Sequence, residues 1–172
     1  MKIALTGTPG TGKTAAAGEL EKMGYRVLHV HDLVETFTIG YDEKRESNII
    51  DEDALARYVQ EIDDPQLIIE GHVSHLLGCD AAVVLRCHPE ELQKRLKNKH
   101  WKEEKIRENV EAEALDIILE RALEHHEKVW EIDTTGKRET EVAEEIAGII
   151  ETIPPPHYGE IDWSEWLMEH AG

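Results

Sequence analysis

Three features of the 172-residue chain predict an α/β protein, a five-stranded parallel sheet with helices on both faces. Short apolar segments alternate with helical ones along the chain, a glycine-rich loop joins the first such pair, and the length suits one domain with a single core. Strictly alternating β and α elements imply parallel strands joined by helical crossovers.

Strand one is Lys2–Thr6, and its helix runs from about Lys13 to Met23. Tyr25–Val30 reads as strand two. His31–Ile50 has no clean period and carries Gly40 and several charges, so it reads as an irregular excursion. Asp51 caps a helix over Glu52–Ile62, with Ala54, Leu55, Tyr58 and Val59 on one face. Asp64-Pro65 turns the chain into strand three, Leu67–Glu70, and Ala81–Arg86 is strand four. Pro89 occupies the first position of the next helix, with Glu90 and Glu91 in its first turn. The stripe Ile106, Val110, Ala114, Ile117, Arg121 predicts one long helix over Glu103–His125. Val129–Ile132 is strand five and Glu139–Ile150 the last regular helix. Pro154-Pro-Pro156 ends the domain, and the tail His157–Gly172, with Trp163 and Trp166, reads as a segment that docks.

The loop after strand one, Gly7-Thr-Pro-Gly-Thr-Gly-Lys-Thr14, matches the pattern G-x-x-x-x-G-K-[ST] at every fixed position. An apolar strand leads into it and an alanine-rich helix leads out. Glycines let successive backbone N–H groups curl around a phosphate, and the helix N-terminus adds partial positive charge. Lys13 then reaches the β- and γ-phosphates, and the Thr14 hydroxyl is placed to ligate Mg²⁺. The chain is expected to bind ATP.

A net charge of −18 argues against wrapping a nucleic-acid backbone, so no direct DNA binding is expected. Cys79 and Cys87 lie on or beside an apolar strand and read as reduced, buried, cytosolic thiols. The first strand begins at Lys2 and no apolar run approaches the roughly 18 residues of a membrane span, so a cytoplasmic protein without a membrane partner is expected.

In open parallel sheets ligands bind beyond the carboxyl ends of the strands. Here those ends are the P-loop, His31-Asp32, Glu70-Gly-His72, Arg86 and Asp133-Thr-Thr135, all polar. Glu70 ends an apolar strand, the Walker B position, where a carboxylate holds Mg²⁺ beside Thr14. His72 either handles a water or proton in the γ-phosphate region or hydrogen-bonds its loop. Asp32 either faces Lys13 or the metal, or caps the next helix. Asp32 and Arg86 are the candidates for contact with a monophosphate. The pairs His29/His31 and His72/His75 have no third ligand nearby in the sequence, so zinc is not expected.

Seven of the 19 basic residues fall between Glu91 and Arg107. Lys97, Lys102 and Lys105 read as a solvated face. Arg95 and Lys99, spaced i, i+4, share one helix face and are the candidates for neutralising transition-state charge beneath a mobile cap.

The chain resembles the adenylate kinase isoenzyme 6 (CINAP) family of nucleoside monophosphate kinases. The resemblance rests on Leu5–Thr14, Ile50-Asp-Glu-Asp53, Glu70-Gly-His-Val-Ser-His75, Val84-Leu-Arg86, Arg95-Leu96 and Asn109-Val-Glu-Ala-Glu113. It implies the P-loop nucleoside monophosphate kinase fold over residues 1–172. It also implies a monophosphate-binding region at about 28–51, a lid at about 99–109 and a tail from 154. By resemblance Gly10, Gly12, Lys13, Thr14 and Ala15 line the ATP phosphates, Lys99 belongs to the lid and Lys137 lies near adenine. The acceptor would be AMP or a related monophosphate. The family is also associated with assembly of the small ribosomal subunit, through a basic ribosomal protein and ATP hydrolysis, and an acidic surface suits such a partner. Three departures stand out: Glu70 replaces the usual Asp, Lys99 replaces an arginine, and strand two ends His31-Asp32 where a small residue usually precedes the Asp. No Asn-Lys-x-Asp motif for guanine is present.

Overall fold

The computed structural model describes residues 1–170. The chain runs through β1 (Lys2–Gly7), α1 (Lys13–Lys22), β2 (Val27–His29), a 3₁₀ turn (Val30–Leu33), α2 (Val34–Phe37), β3 (Thr38–Asp42), β4 (Ser47–Ile50) and α3 (Glu52–Glu61). It continues through β5 (Leu67–Glu70), a 3₁₀ turn (Ser74–Leu76), β6 (Ala81–Arg86), α4 (Pro89–Asn98), α5 (Glu103–Ala114), α6 (Ile117–His125), β7 (Val129–Asp133), α7 (Glu139–Thr152) and α8 (Ser164–His170). The main sheet has the order β2-β5-β1-β6-β7, every pair parallel. The predicted sheet is therefore present, with β1 at its centre.

Its strands are apolar on both faces because helices cover both. Ile3, Leu5, Ile68, Val83 and Leu85 face α1 and α7. Ala4, Ile69, Ala82 and Val84 face the opposite way, toward Leu55 and Val59 of α3 and Leu119 and Ala122 of α6. Each buried Leu, Ile or Val side chain contributes about 1.5–3 kcal/mol relative to exposure. A third cluster, Cys87, Leu92, Leu96, Ile106 and Val110, joins α4 to α5. Both cysteines are free and buried, and burial pushes each thiol up to about 12.

Two expectations are corrected. The excursion is not irregular: β3 and β4 form an antiparallel hairpin. Its turn forms because Asp42 Oδ1 accepts the N–H groups of Lys44 and Arg45 at 3.0 and 3.1 Å, and Glu46 takes φ 52°. The single long helix over Glu103–His125 is two helices, broken where Asp116 adopts φ 57° and its carboxylate reaches Arg86. The apolar stripe passes through that break without a lapse, so periodicity carries no sign of it. The tail docks on its own domain. His157 extends the sheet beside β7, with its carbonyl bonded to Glu131 N at 3.0 Å, and Trp166 packs on the α4–α5 cluster. The last two tail residues, 171–172, lie outside the described residues.

Candidate active site

The P-loop leaves the centre of the sheet with three glycines at positive φ: Gly7 at 148°, Gly10 at 93° and Gly12 at 101°. At Gly7 space forbids a side chain as well, since a Cβ there would lie 2.6 Å from the Leu85 carbonyl oxygen. Gly12 caps α1 without any side chain over the helix end, so the first N–H groups of α1 face outward. Thr11 closes the loop with its N–H and hydroxyl on the Thr8 carbonyl, at 3.2 and 2.8 Å. Lys13 is buried, with Nζ donating to the carbonyls of Gly7 at 2.8 Å and Thr8 at 3.1 Å. Burial pushes its pKa down to about 8, against the pull of Glu70, with Lys99 lowering it further.

These elements open on a cleft of about 990 Å³. Gly10, Gly12, Lys13, Thr14, Ala15, Glu70, His72, Arg95, Lys99 and Lys137 all line it, so the structure brings together nearly every residue the sequence singled out. Thr14 Oγ1 donates to Glu70 Oε1 at 3.4 Å, two hard oxygens at the mouth of the P-loop. Glu70 is only 3% exposed; its other oxygen receives His29 Nδ1 at 2.8 Å, and His29 Nε2 meets Glu21 at 2.8 Å. Those two hydrogen bonds outweigh partial burial and raise the His29 pKa.

Arg95 ties α4 to the P-loop and to the loop after β7. Its guanidinium donates to the Gly10 carbonyl at 3.3 Å, to Thr134 O at 3.1 Å and to Glu91 at 2.6 Å. Lys137 pairs with Glu145 at 3.0 Å on the far rim. The β3–β4 hairpin meets the start of α5: Glu46 pairs with Lys102, and Arg45 with Glu108 at 3.5 Å.

His72 lines the cleft beyond Glu70. The ring keeps solvent contact in the open cleft, but the protein around it and then the Lys13 ammonium hold its pKa down to about 4. A pKa there leaves the imidazole neutral near pH 7, with one ring nitrogen an acceptor and the other a donor.

Asp32 and Arg86 are not among the lining residues. Asp32 is exposed beside His31 Nε2, 3.0 Å away, and caps nothing. Arg86 is 1% exposed and its donors go to Glu113 at 2.9 Å, to Asp116 and to Glu131. Glu113 also accepts Thr8 Oγ1 at 2.9 Å and Cys87 N at 3.0 Å, tying α5 to the P-loop, and burial raises its pKa. Sequence reasoning missed the apolar wall Val30, Val34 and Ile50, and Trp101 between α4 and α5. The signal was present in Ile49-Ile50 running into the Asp51 cap, which only a hairpin turns toward the cleft.

A family model described as an AAA domain matches residues 3–116. A protein named "Putative adenylate kinase" from Archaeoglobus fulgidus is 47% identical over 173 residues, spanning 98% of this chain and 95% of the relative. One of the same name from Pyrococcus furiosus is 41% identical over 171 residues, spanning 98% and 94%. Among solved structures, shikimate kinase from Acinetobacter baumannii matches with a TM-score of 0.64 at 17% identity, over 88% of this chain and 93% of that one. TT1252 from Thermus thermophilus matches at 0.56 and 17%, over 88% and 97%. These likenesses concern the fold, that of a P-loop kinase. Among the described residues, no helix is long and apolar enough to cross a membrane.

Proposed function

This chain belongs to the adenylate-kinase family that its archaeal relatives represent, and from that premise we propose that it transfers the γ-phosphoryl group of ATP to AMP or a related monophosphate. The observation that carries the reading is the single cleft shared by the P-loop, Glu70, Arg95 and Lys99, which ends in the apolar wall Val30, Val34 and Ile50. One end suits a triphosphate and the other a base ring.

Little covalent chemistry is asked of a protein in phosphoryl transfer; it positions the reactants and neutralises charge. Lys13 leaves two loop carbonyls for the phosphates, exchanging neutral acceptors for charged ones. The α1 N–H groups hold the β-phosphate region. Arg95 and Lys99 face the charge that develops on the transferred group, and the cap of α4 and α5 excludes water from it. Thr14 and Glu70 supply the hard oxygens that suit Mg²⁺ with its remaining waters, so the donor set fits that ion. Mg²⁺ bound there supplies neutralisation of the β- and γ-phosphate oxygens. Lys137 and Val142 line the rim where the adenine of ATP would lie.

ATP hydrolysis accompanies transfer in this reading, because His72 lines the cleft beside Glu70 with a neutral ring nitrogen that can accept from an attacking water. A second reading, an ATPase that assists small-subunit assembly by binding a basic ribosomal protein, is favoured by the net charge of −18. The decisive measurement is ADP formation from ATP plus each monophosphate, beside phosphate release from ATP alone. Monophosphate-dependent ADP formation supports the kinase, and its absence overturns that reading. Phosphate release accelerated by the ribosomal protein, with complex formation weakened by salt, supports the assembly reading.

A further inference from the structure

Glu70 has a second neighbourhood on the side away from Thr14. The β2–β5 register pairs His29 with Glu70, so both side chains leave the same face of the sheet. His31 follows in the adjoining 3₁₀ turn, its ring centroid 5.5 Å from that of His29. One ligand atom from each of His29, His31 and Glu70 lies within 4.8 Å of the others, the one such cluster of three among the described residues. The third ligand that the sequence lacked beside His29 and His31 comes from a strand about 40 residues away.

The orientation of His29 is the second observation. Its Nε2 is held by the Glu21 carboxylate of α1 at 2.8 Å, which leaves Nδ1 directed at Glu70 Oε2. A carboxylate fixing one imidazole nitrogen while the other faces the ion is the arrangement that orients metal-bound histidines. Bonds of 2.0–2.1 Å place ligand atoms of a tetrahedral zinc about 3.3 Å apart. The His29–Glu70 contact of 2.8 Å needs to open by about half an ångström to admit one. His31 is solvent-exposed, and swinging the remaining distance costs it only an exposed contact with Asp32 at 3.0 Å. Two imidazoles and one carboxylate suit zinc, nickel or cobalt and disfavour Mg²⁺, which takes oxygen ligands.

We propose that His29, His31 and Glu70 form a transition-metal site, with Glu21 as the outer carboxylate, next to the nucleotide phosphates. Water completes the coordination on the open side. The site shares Glu70 with the Thr14 side of the cleft, so zinc there competes for the carboxylate. That inhibitory consequence rests on the Mg²⁺ reading above; binding itself does not.

The test is calorimetric titration of the nucleotide-free, Mg²⁺-free protein with Zn²⁺, repeated with Co²⁺ and followed by visible absorption. One equivalent binding, with tetrahedral cobalt bands and no thiolate charge-transfer band, is expected. His31→Ala, at an exposed position, should keep the thermal melt of the parent and weaken Zn²⁺ binding more than tenfold. Glu21→Gln should weaken it about 10- to 100-fold, as loss of an outer carboxylate does. No one-equivalent binding, unchanged affinity in both variants, or a thiolate band placing the metal on cysteine would each overturn the site. In a parallel assay, zinc inhibition that excess Mg²⁺ relieves supports the shared carboxylate. Binding without inhibition keeps the metal site and removes Glu70 from the Mg²⁺ reading.

Discussion

The carboxyl ends of β5 and β6 look alike in sequence, an apolar run closed by one charged residue, yet they end in opposite conditions. Glu70 closes β5 and faces the cleft, with one oxygen toward Thr14 and the other toward His29. Arg86 closes β6 and is sealed, its guanidinium shared among Glu113, Asp116 and Glu131. The first charge keeps capacity for an incoming ligand. The second has all three guanidinium nitrogens engaged within the protein and serves to tie α5, β7 and the P-loop together through Glu113. A charged residue at a strand end marks a site only where the fold leaves its partners to be supplied from outside.

Removing one charge from the sealed end and one from the cleft tests that contrast, and Arg86 should show the largest effect. Arg86→Ala leaves two carboxylates buried without their cation, and breaking such a network costs about 3–5 kcal/mol. Chemical denaturation should record that loss, and a variant as stable as the parent would show that the network is not structural. Lys13→Ala should instead leave the melt near the parent's and raise the transfer barrier by roughly 3–4 kcal/mol, the scale of losing one positioned donor. Both transfer and hydrolysis would fall; near-normal turnover at saturating ATP and Mg²⁺ would remove the P-loop from the mechanism.

A pH profile probes the open side without mutation. Lys13 must carry its proton to attract phosphate, and in the free protein burial holds its pKa at about 8. ATP affinity should therefore be flat below about pH 8 and fall up to tenfold per unit above it, until the bound-state pKa is reached. Affinity flat to pH 10 would mean that Lys13 stays protonated despite its burial. The smallest effect is expected at His72. With a pKa near 4 the ring stays neutral through the working range, so its removal changes no charge. His72→Ala should lower ATP hydrolysis several-fold while sparing transfer to AMP, measured as phosphate release against ADP formation. Equal losses in both would give His72 a supporting role for the whole site.

Much of this was decided by local chemistry and is readable from the chain alone. A loop of glycines at fixed spacing has few conformations that satisfy its backbone, so Gly7–Thr14 declares both its shape and its anion. Apolar strands alternating with capped helices imply a parallel sheet with helical crossovers, and the cleft is then expected at the strand ends, while the strand order came from the structure. The Asp51 cap and the Pro89 helix start followed from side chains meeting backbone a few residues away. The tertiary structure decided what depends on partners distant in sequence. The break at Asp116 exists because Arg86, 30 residues earlier, draws its carboxylate inward. The lowered pKa of His72 comes from the protein packed around it and then from Lys13, and the company of His29 and His31 from Glu70. Periodicity and motif spacing record contacts made along a helix or around a turn. Whether a charge is satisfied, shifted or left free depends on groups that only the folded chain brings within a few ångströms.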